Sequence, residues 1–470
     1  MSHPILAALE RALPPGRVTT DPHDMAPWLT DWRGRVHGTA LAIVSPRSTD
    51  EVQAIVRLAG EHGVAITAQG GNTSQVAGAT PPPTGETLLL SLRRMDTLTI
   101  DAAAHTARAQ AGVILEKLHD AAAREGLRFP LSLGAKGSAT VGGLVATNAG
   151  GTQVLRHGTM RALTLGLEVV RPDGTLLDLM APLAKDNRGP DPKQMFIGGE
   201  GAFGIVTAAT LALKPAVAER AVAWVAAPSP HVALELLRAL DGQLGTMLEG
   251  FELIPDRGLA MVLEHVPGTR APLSSPSPWH VLVEAVSVAG APSPAPALEA
   301  ALADAIEAGL ATDAALAPSE GAADALWRIR EAIPEAQRAL GPLIPHDVSV
   351  PVAAMPDFID SAPVVVEAAF AGTSTLAFGH LGDGNIHFHV RPPAGGDAAT
   401  WIAEHGEAAS ALVYAEAIKR GGSISAEHGI GRDKVALLAR TDPPERIALL
   451  RALKAALDPS GILNPGVLIP

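Results

Sequence analysis

The sequence predicts an α+β fold in two parts closed by a helical C-terminal segment, on three observations. A strand–helix–strand unit covers residues 41–68, further strands follow a glycine-rich stretch, and after residue 216 strands alternate with longer helical stretches. At 470 residues the chain is long enough to bury two cores.

In the first part, LAIVS (41–45) reads as a short apolar strand. In the helix that follows, Ser48 and Glu51 have capping-box spacing and Val52, Ile55, Val56 and Ala59 share a face. VAITA (64–68) is the next strand and runs into a glycine-rich turn. A second helix is expected over about 113–125, stopped by Gly126. LTLGLEVV (163–170) and TLLDL form a hairpin through Pro172, Asp173 and Gly174, and GIVTAATLALKP (204–215) completes this part, with a boundary at 216.

Over 217–425 we expect a mixed sheet. Its strands are Val222–Ala226, Leu259–Glu264 and His280–Val288, and its helices lie at about 231–241, 297–309, 321–339 and 400–419. Residues 426–470 form a C-terminal segment returning to the first part. Pro444 opens its helix, Ile447, Leu450, Leu453 and Leu457 form its stripe, Pro459 ends it, and Asn464-Pro465-Gly466 makes a tight turn.

Composition excludes several classes. The formal charge of −13 disfavours nucleic acid, and with no cysteine there is neither a disulfide framework nor a thiolate metal cage. The N-terminal MSHPILAALERALPP lacks a basic start and is interrupted by Glu10 and Arg11, so no signal peptide is expected. No membrane span is expected either, since the uncharged stretch 137–155 is rich in glycine and polar residues. A cytoplasmic location follows as the default expectation.

Three glycine clusters are candidates for holding a cofactor. TAQGGNTSQVAG (67–78) follows a strand, so backbone N–H groups of its turn could converge on a diphosphate. It has neither Walker nor Rossmann order. GAKGSATVGGLVATNAGG (134–151) and FIGGEGAFGIVT (196–207) add closely spaced glycines, and each costs about 0.5–1 kcal/mol relative to alanine in regular structure. A long ligand lying against main chain is one reason to accept that; close packing of turns is the other.

GHLGDGNIHFHV (379–390) carries the sharpest chemistry. If 385–390 is extended, Asn385, His387 and His389 share one face, and His380 and His387 can converge across the glycine turn. SISAEHGIGRDK (423–434) supplies Glu427 and His428. Two imidazoles and a carboxylate make a divalent-metal site, zinc ahead of manganese or iron. Asp383, between two glycines, suits a turn carboxylate. For a substrate carboxylate, DALWRIREAIPEAQ (324–337) offers Arg328 and Arg330, which lie on different helical faces.

These motifs, with PRSTDEVQAIV, LGLEVVRPDGTLLD, KDNRG and GILNPG, run along nearly the whole chain in an order that resembles the vanillyl-alcohol-oxidase-like FAD-linked oxidoreductases. The branch is that of D-lactate, glycolate and D-2-hydroxyglutarate dehydrogenases, with GAKGS and KDNRG most similar to the D-2-hydroxyglutarate group. The resemblance implies an FAD-binding domain (1–216) and an α+β cap domain (217–425). FAD, held noncovalently, would contact Gln69, Gly70, Gly71, Asn72, Thr73, Ser74, Pro130, Gly134, Ser138, Gly142, Gly143, Asn148, Gly204, Ile205, Val206 and Asn464. It further implies His380, His387 and Glu427 as metal ligands, His428 as catalytic base, and Arg330, Asn385 and His389 at the substrate, with His346 as a compensating contact.

Pro334 and Pro345 stand where relatives commonly have threonine and lysine, so donors expected to grip the far end of a hydroxyglutarate are missing. The expected reaction is therefore oxidation of a D-2-hydroxy acid, with D-2-hydroxyglutarate, D-lactate, D-malate and bulkier acids open. Electrons would pass to an electron-transfer flavoprotein or quinone, an oxygen-using oxidase being the nearest alternative. A metal hydrolase and a noncatalytic binding protein are the readings from other classes, and a homodimer is left open.

Overall fold

The computed structural model describes residues 3–183 and 185–470; the first two residues of the N-terminal stretch lie outside them. The chain separates into two compact units. One comprises Met1–Gly151, His157–Ala216 and Glu427–Pro470, the other Thr152–Arg156 and Val217–Ala426. No sequence pattern indicates that Thr152–Arg156 belongs to the second unit. It is held there by an ion pair of Arg156 with Glu249 (2.8 Å) and by Leu155 packing on Gly382.

The first unit contains two main sheets, beside a two-stranded pairing of Leu127–Arg128 with Lys214–Pro215. In the smaller, Ala42–Val44, Thr87–Ser91 and Ala65–Gln69 run parallel, with Val18–Thr19 antiparallel at one edge. Helix Thr49–His62 connects two of these strands and buries Val52, Ile55, Val56 and Ala59 against them. Ser48 caps it by accepting from Glu51 N–H (3.2 Å). The reciprocal half of the capping box is absent, because Glu51 accepts instead from Arg47 N–H and Arg17. The larger sheet is antiparallel, in the order Leu98–Asp101, Thr106–Gln110, Ile205–Ala212, Thr164–Val170, Leu176–Leu179. Its last hairpin turns at Gly174 (φ +72°), where Asp173 accepts from Thr175 N–H, a turn only glycine takes without strain.

The second unit is built on a seven-stranded sheet: Asp313–Leu316, Val217–Ala227, Trp279–Val288, Leu248–Pro255, Ser374–His380, Asn385–Arg391, Ile344–Ser349. All its pairings are antiparallel, where a mixed sheet was expected. Helices Pro230–Leu244, Pro294–Glu307, Met355–Ala369 and Ala398–Lys419 cover one face. Asp256–His265, Glu320–Glu331 and Ile333–Ala339 pack on the other.

Two expectations change here. Leu259–Glu264 lies inside helix Asp256–His265; a short apolar run does not carry its own period, and Leu259 and Val262, three apart, are the buried pair. The stretch 321–339 is two helices, because Pro334 sits at the start of the second rather than inside one continuous helix. Among the described residues no helix is long and apolar enough to cross a membrane.

Candidate active site

In the first unit the 67–78 turn and the 138–140 segment approach too closely for side chains. A Cβ at Gly71 would overlap the Ser138 carbonyl oxygen, and one at Gly70 would overlap Thr140 Oγ1. Gln69 donates to the carbonyls of Trp28 (3.0 Å) and Ala79 (2.9 Å), and Asn72, in the left-handed region (φ +55°), donates to Thr30 O. Around this turn four polar atoms are buried without a partner: Thr67 Oγ1, Gln69 Oε1, Thr140 Oγ1 and Asn464 Oδ1. Buried polar groups are normally paired, so a polar ligand laid along this main chain fits what is present, as FAD requires.

The other implied FAD residues divide by role. Thr73 is half-buried beside the turn, Ser74 Oγ accepts from Gly78 N–H, and Pro130 is buried. Gly142 lies against Ala111 and Gly204 against Val169 and Phe196, so both serve close packing, and Ile205 and Val206 are core residues. Asn148 ends helix Val141–Thr147 in the left-handed region and accepts from Thr159 Oγ1 and Arg161 N–H. Gly143 has only ordinary contact with Thr140, while a Cβ on Gly134 would meet nothing. Gly71→Ala is expected to force the turn off Ser138 and to lower the FAD-to-protein ratio of the purified protein. Stoichiometric FAD in that variant would contradict the cradle.

Glu427 and His428 open a half-buried loop of the same unit. Sequence reasoning missed what holds it. Glu200, the one charged residue of FIGGEGAFG, takes the N–H groups of Ile430 (2.8 Å) and Gly431 (2.7 Å), and its own carbonyl accepts from Asn464 (2.7 Å). Burial pushes the Glu200 carboxyl up, against the opposing pull of the two N–H groups and Lys434. A group raised in the folded state contributes stability below its unfolded value of about 4.3 and loses it as pH rises through the folded value. Glu200→Gln should therefore flatten the decline of melting temperature with pH above that point. It should also lower stability overall by about 1–3 kcal/mol, since one N–H loses its acceptor. An unchanged pH profile would contradict the assignment.

In the second unit the candidate side chains His380, Asn385, His387 and His389 share one sheet face. The register pairs His380 with Asn385, Phe378 with His387 and Leu376 with His389, and sets Asp347 opposite His387. His380 therefore ends one strand of a hairpin whose glycine turn, fixed by Asp383 accepting from Asn385 N–H (3.0 Å), starts the next. The His380 and His387 rings are 5.5 Å apart at 77°, with a nitrogen of each within 4.8 Å of the other. Asn385 donates to Asp347 Oδ1 (2.9 Å) and Val348 O (3.2 Å).

Glu252, on the neighbouring strand, was not singled out in the sequence. Fully buried, it accepts from Arg330 Nε (2.6 Å) and is hydrogen-bonded to His380 Nδ1. Burial pushes its carboxyl up, but Arg330 and His380 together outweigh that and hold it well below the carboxylate range. His387 is driven far below the ordinary imidazole value by burial, then by Arg330 and His380, which keeps it neutral at working pH. Arg330 also stacks on Phe378 (5.0 Å), whereas Arg328 is exposed and reaches Pro267 O. His389 Nδ1 is hydrogen-bonded to Gln337 Oε1.

His346 corrects an expectation. It pairs with Phe388 across the ladder and so projects to the opposite, apolar face. There it meets Phe388 O (2.9 Å), Ser410 Oγ (2.9 Å) and the Tyr414 ring, away from His387.

Comparison with known proteins places these features. Residues 40–180 match the FAD binding domain family, and residues 217–468 match the C-terminal domain of FAD linked oxidases. The chain is 38% identical to a mitochondrial D-2-hydroxyglutarate dehydrogenase of Bos taurus, over 99% of this chain and 83% of that protein. It is 39% identical to a D-2-hydroxyglutarate dehydrogenase of Xanthomonas citri pv. viticola, over 100% of this chain and 97% of that one. A crystal structure of p-cresol methylhydroxylase with substrate bound shares the fold, with a TM-score of 0.76, 16% identity, and coverage of 98% and 95%. The cytoplasmic expectation is corrected: animal and plant relatives are described as mitochondrial, and the lack of an apolar segment never distinguished compartments. With both halves matched and these relatives aligned over nearly its whole length, the chain belongs to the FAD-linked oxidases of the vanillyl-alcohol-oxidase-like superfamily, in the branch of D-2-hydroxyglutarate and D-lactate dehydrogenases.

Proposed function

We propose that this protein oxidises a D-2-hydroxy acid to the 2-oxo acid, using noncovalent FAD and a divalent metal, zinc first, and passes electrons to an electron-transfer flavoprotein or quinone. The observation that carries the reading is the pair of converging imidazoles on a sheet face that also holds Arg330. Burial favours the neutral form of His387, the form that ligates metal, and Glu252 holds the His380 ring through Nδ1, so that Nε2 is the proposed ligating nitrogen. Glu427 is the proposed third ligand. It directly follows Ala426, whose N–H reaches the Asp347 carbonyl (3.4 Å) on the strand paired with His387.

When bound, the two groups supply hydride acceptance at flavin N5 and Lewis acidity. The rest falls to side chains. Arg330, oriented by Glu252, meets the substrate carboxylate; Asn385 and His389 border the substrate; and His428 takes the hydroxyl proton as the Cα hydrogen leaves.

Chelator-treated protein that keeps its FAD is expected to lose reduction by D-2-hydroxy acid and to regain it with added zinc. Metal-free protein reduced at the original rate would contradict the metal role. His387→Ala is expected to lose bound metal by elemental analysis while staying yellow; metal at wild-type stoichiometry would contradict the ligand assignment.

A further inference from the structure

Helix Glu320–Glu331, which carries Arg330, makes a polar pair with each of three neighbouring strands. Glu320 and Asp324 meet Arg220 on Val217–Ala227, and Trp327 Nε1 donates to Glu284 on Trp279–Val288. Arg330 Nε donates to Glu252 on Leu248–Pro255 (2.6 Å). Residues at such intervals of three and four lie along one helical face. Three residues advance a helix by about 4.5 Å, and neighbouring strands stand about 4.8 Å apart, so each turn meets the next strand. The same match makes a slide of one turn conceivable, and it would take Arg330 off Glu252.

The pairs differ in how firmly they resist that slide. The Glu320 and Asp324 side chains are 69% and 71% exposed, and ion pairs of that kind contribute little. Trp327 is held by shape as well as by its N–H. Gly250 is in register with Glu284, and the indole lies so near it that a Cβ at Gly250 would stand 3.3 Å from the ring. The body of the indole packs against the core that includes Trp224, Leu282 and Phe378. Glu284 and Gly250 thus form a socket on the sheet, one helical turn before Arg330.

Taking Arg330 as the partner of the substrate carboxylate, as proposed above, we propose that Trp327 is a positioning residue for it. Seated on Gly250 with its N–H on Glu284, Trp327 sets the register of the helix and so the place at which Arg330 presents its guanidinium. A grip on a carboxylate depends on the position and plane of that group, so a small shift of the helix is felt at the substrate.

The test is a double-mutant cycle of Trp327→Phe and Arg330→Lys, read as the substrate Kd from the saturation of anaerobic flavin reduction. The probe is whichever of D-2-hydroxyglutarate, D-malate and D-lactate reduces the wild-type flavin fastest. Trp327→Phe keeps a ring for the socket and loses the N–H; it should raise Kd by about 10-fold or more. Arg330→Lys should raise Kd too, and adding Trp327→Phe to it should change Kd by less than about twofold, because the first residue acts through the second. Glu284→Gln retains an acceptor for the indole and should stay near wild type. If Trp327→Phe does not fold, Gly250→Ala crowds the ring from the strand side and should raise Kd in wild type but not in Arg330→Lys. An unchanged Kd in the socket variant, or effects that add in the double variant as general loosening would, overturns the positioning role. A wild-type Kd in Arg330→Lys instead overturns the reading of Arg330 on which this rests, and failure of all three acids to reduce the flavin overturns the reaction.

Discussion

Glu252→Ala is expected to destabilise the second unit by about 3–5 kcal/mol and to take substrate and metal binding with it. The carboxylate is completely buried between Arg330 and His380, and removing it leaves a guanidinium that is 7% exposed without its counter-charge. The His380 ring would also lose the bond that fixes its tautomer. The sign with pH follows from the depressed carboxyl. A group lowered in the folded state contributes stability above its unfolded value of about 4.3, and that contribution drains away as pH falls toward the folded value. Wild type should accordingly lose stability on acidification below about pH 5, and the variant should lose less. Denaturant unfolding across pH measures both. Because the variant could fail to fold, Glu252→Gln gives a second reading: it keeps acceptor capacity for Arg330 and removes the charge. Wild-type stability and an unchanged acid limb in Glu252→Gln would contradict the role.

His428→Ala is expected to slow flavin reduction by about 10²- to 10⁴-fold, the range that a positioned base contributes. FAD and metal content should stay near wild type, since His428 is proposed to move a proton rather than to ligate. The loop that carries it is fastened elsewhere, by Glu200 at Ile430 and Gly431. Rapid mixing of anaerobic protein with substrate separates this step from reoxidation. An unchanged reduction rate would remove His428 from proton transfer.

Legibility in the sequence followed the range of the interactions. Ser48, the Pro172–Gly174 turn and the helix stopped by Gly126 are local signals, and each appears where its chemistry places it. The face shared by Asn385, His387 and His389 came from a two-residue period that the strand then supplied. Glu252 escaped because its strand, LEGFELIP, is buried on both sides and shows no alternation, while its partners are 78 and 128 residues distant. His346 was misplaced for a related reason: a one-residue offset across a ladder sends a side chain to the other face, and only the register shows which. Leu259–Glu264 was too short an apolar run to declare helix or strand by itself.

The most direct measurement of the central claim is anaerobic absorbance of the FAD-loaded protein mixed with resolved enantiomers of a 2-hydroxy acid series. The account predicts bleaching of the oxidised flavin by at least one D-acid, one flavin per equivalent, with the matching L-acid inert. Flavin that stays oxidised with every D-acid, or responds equally to both enantiomers, would contradict it.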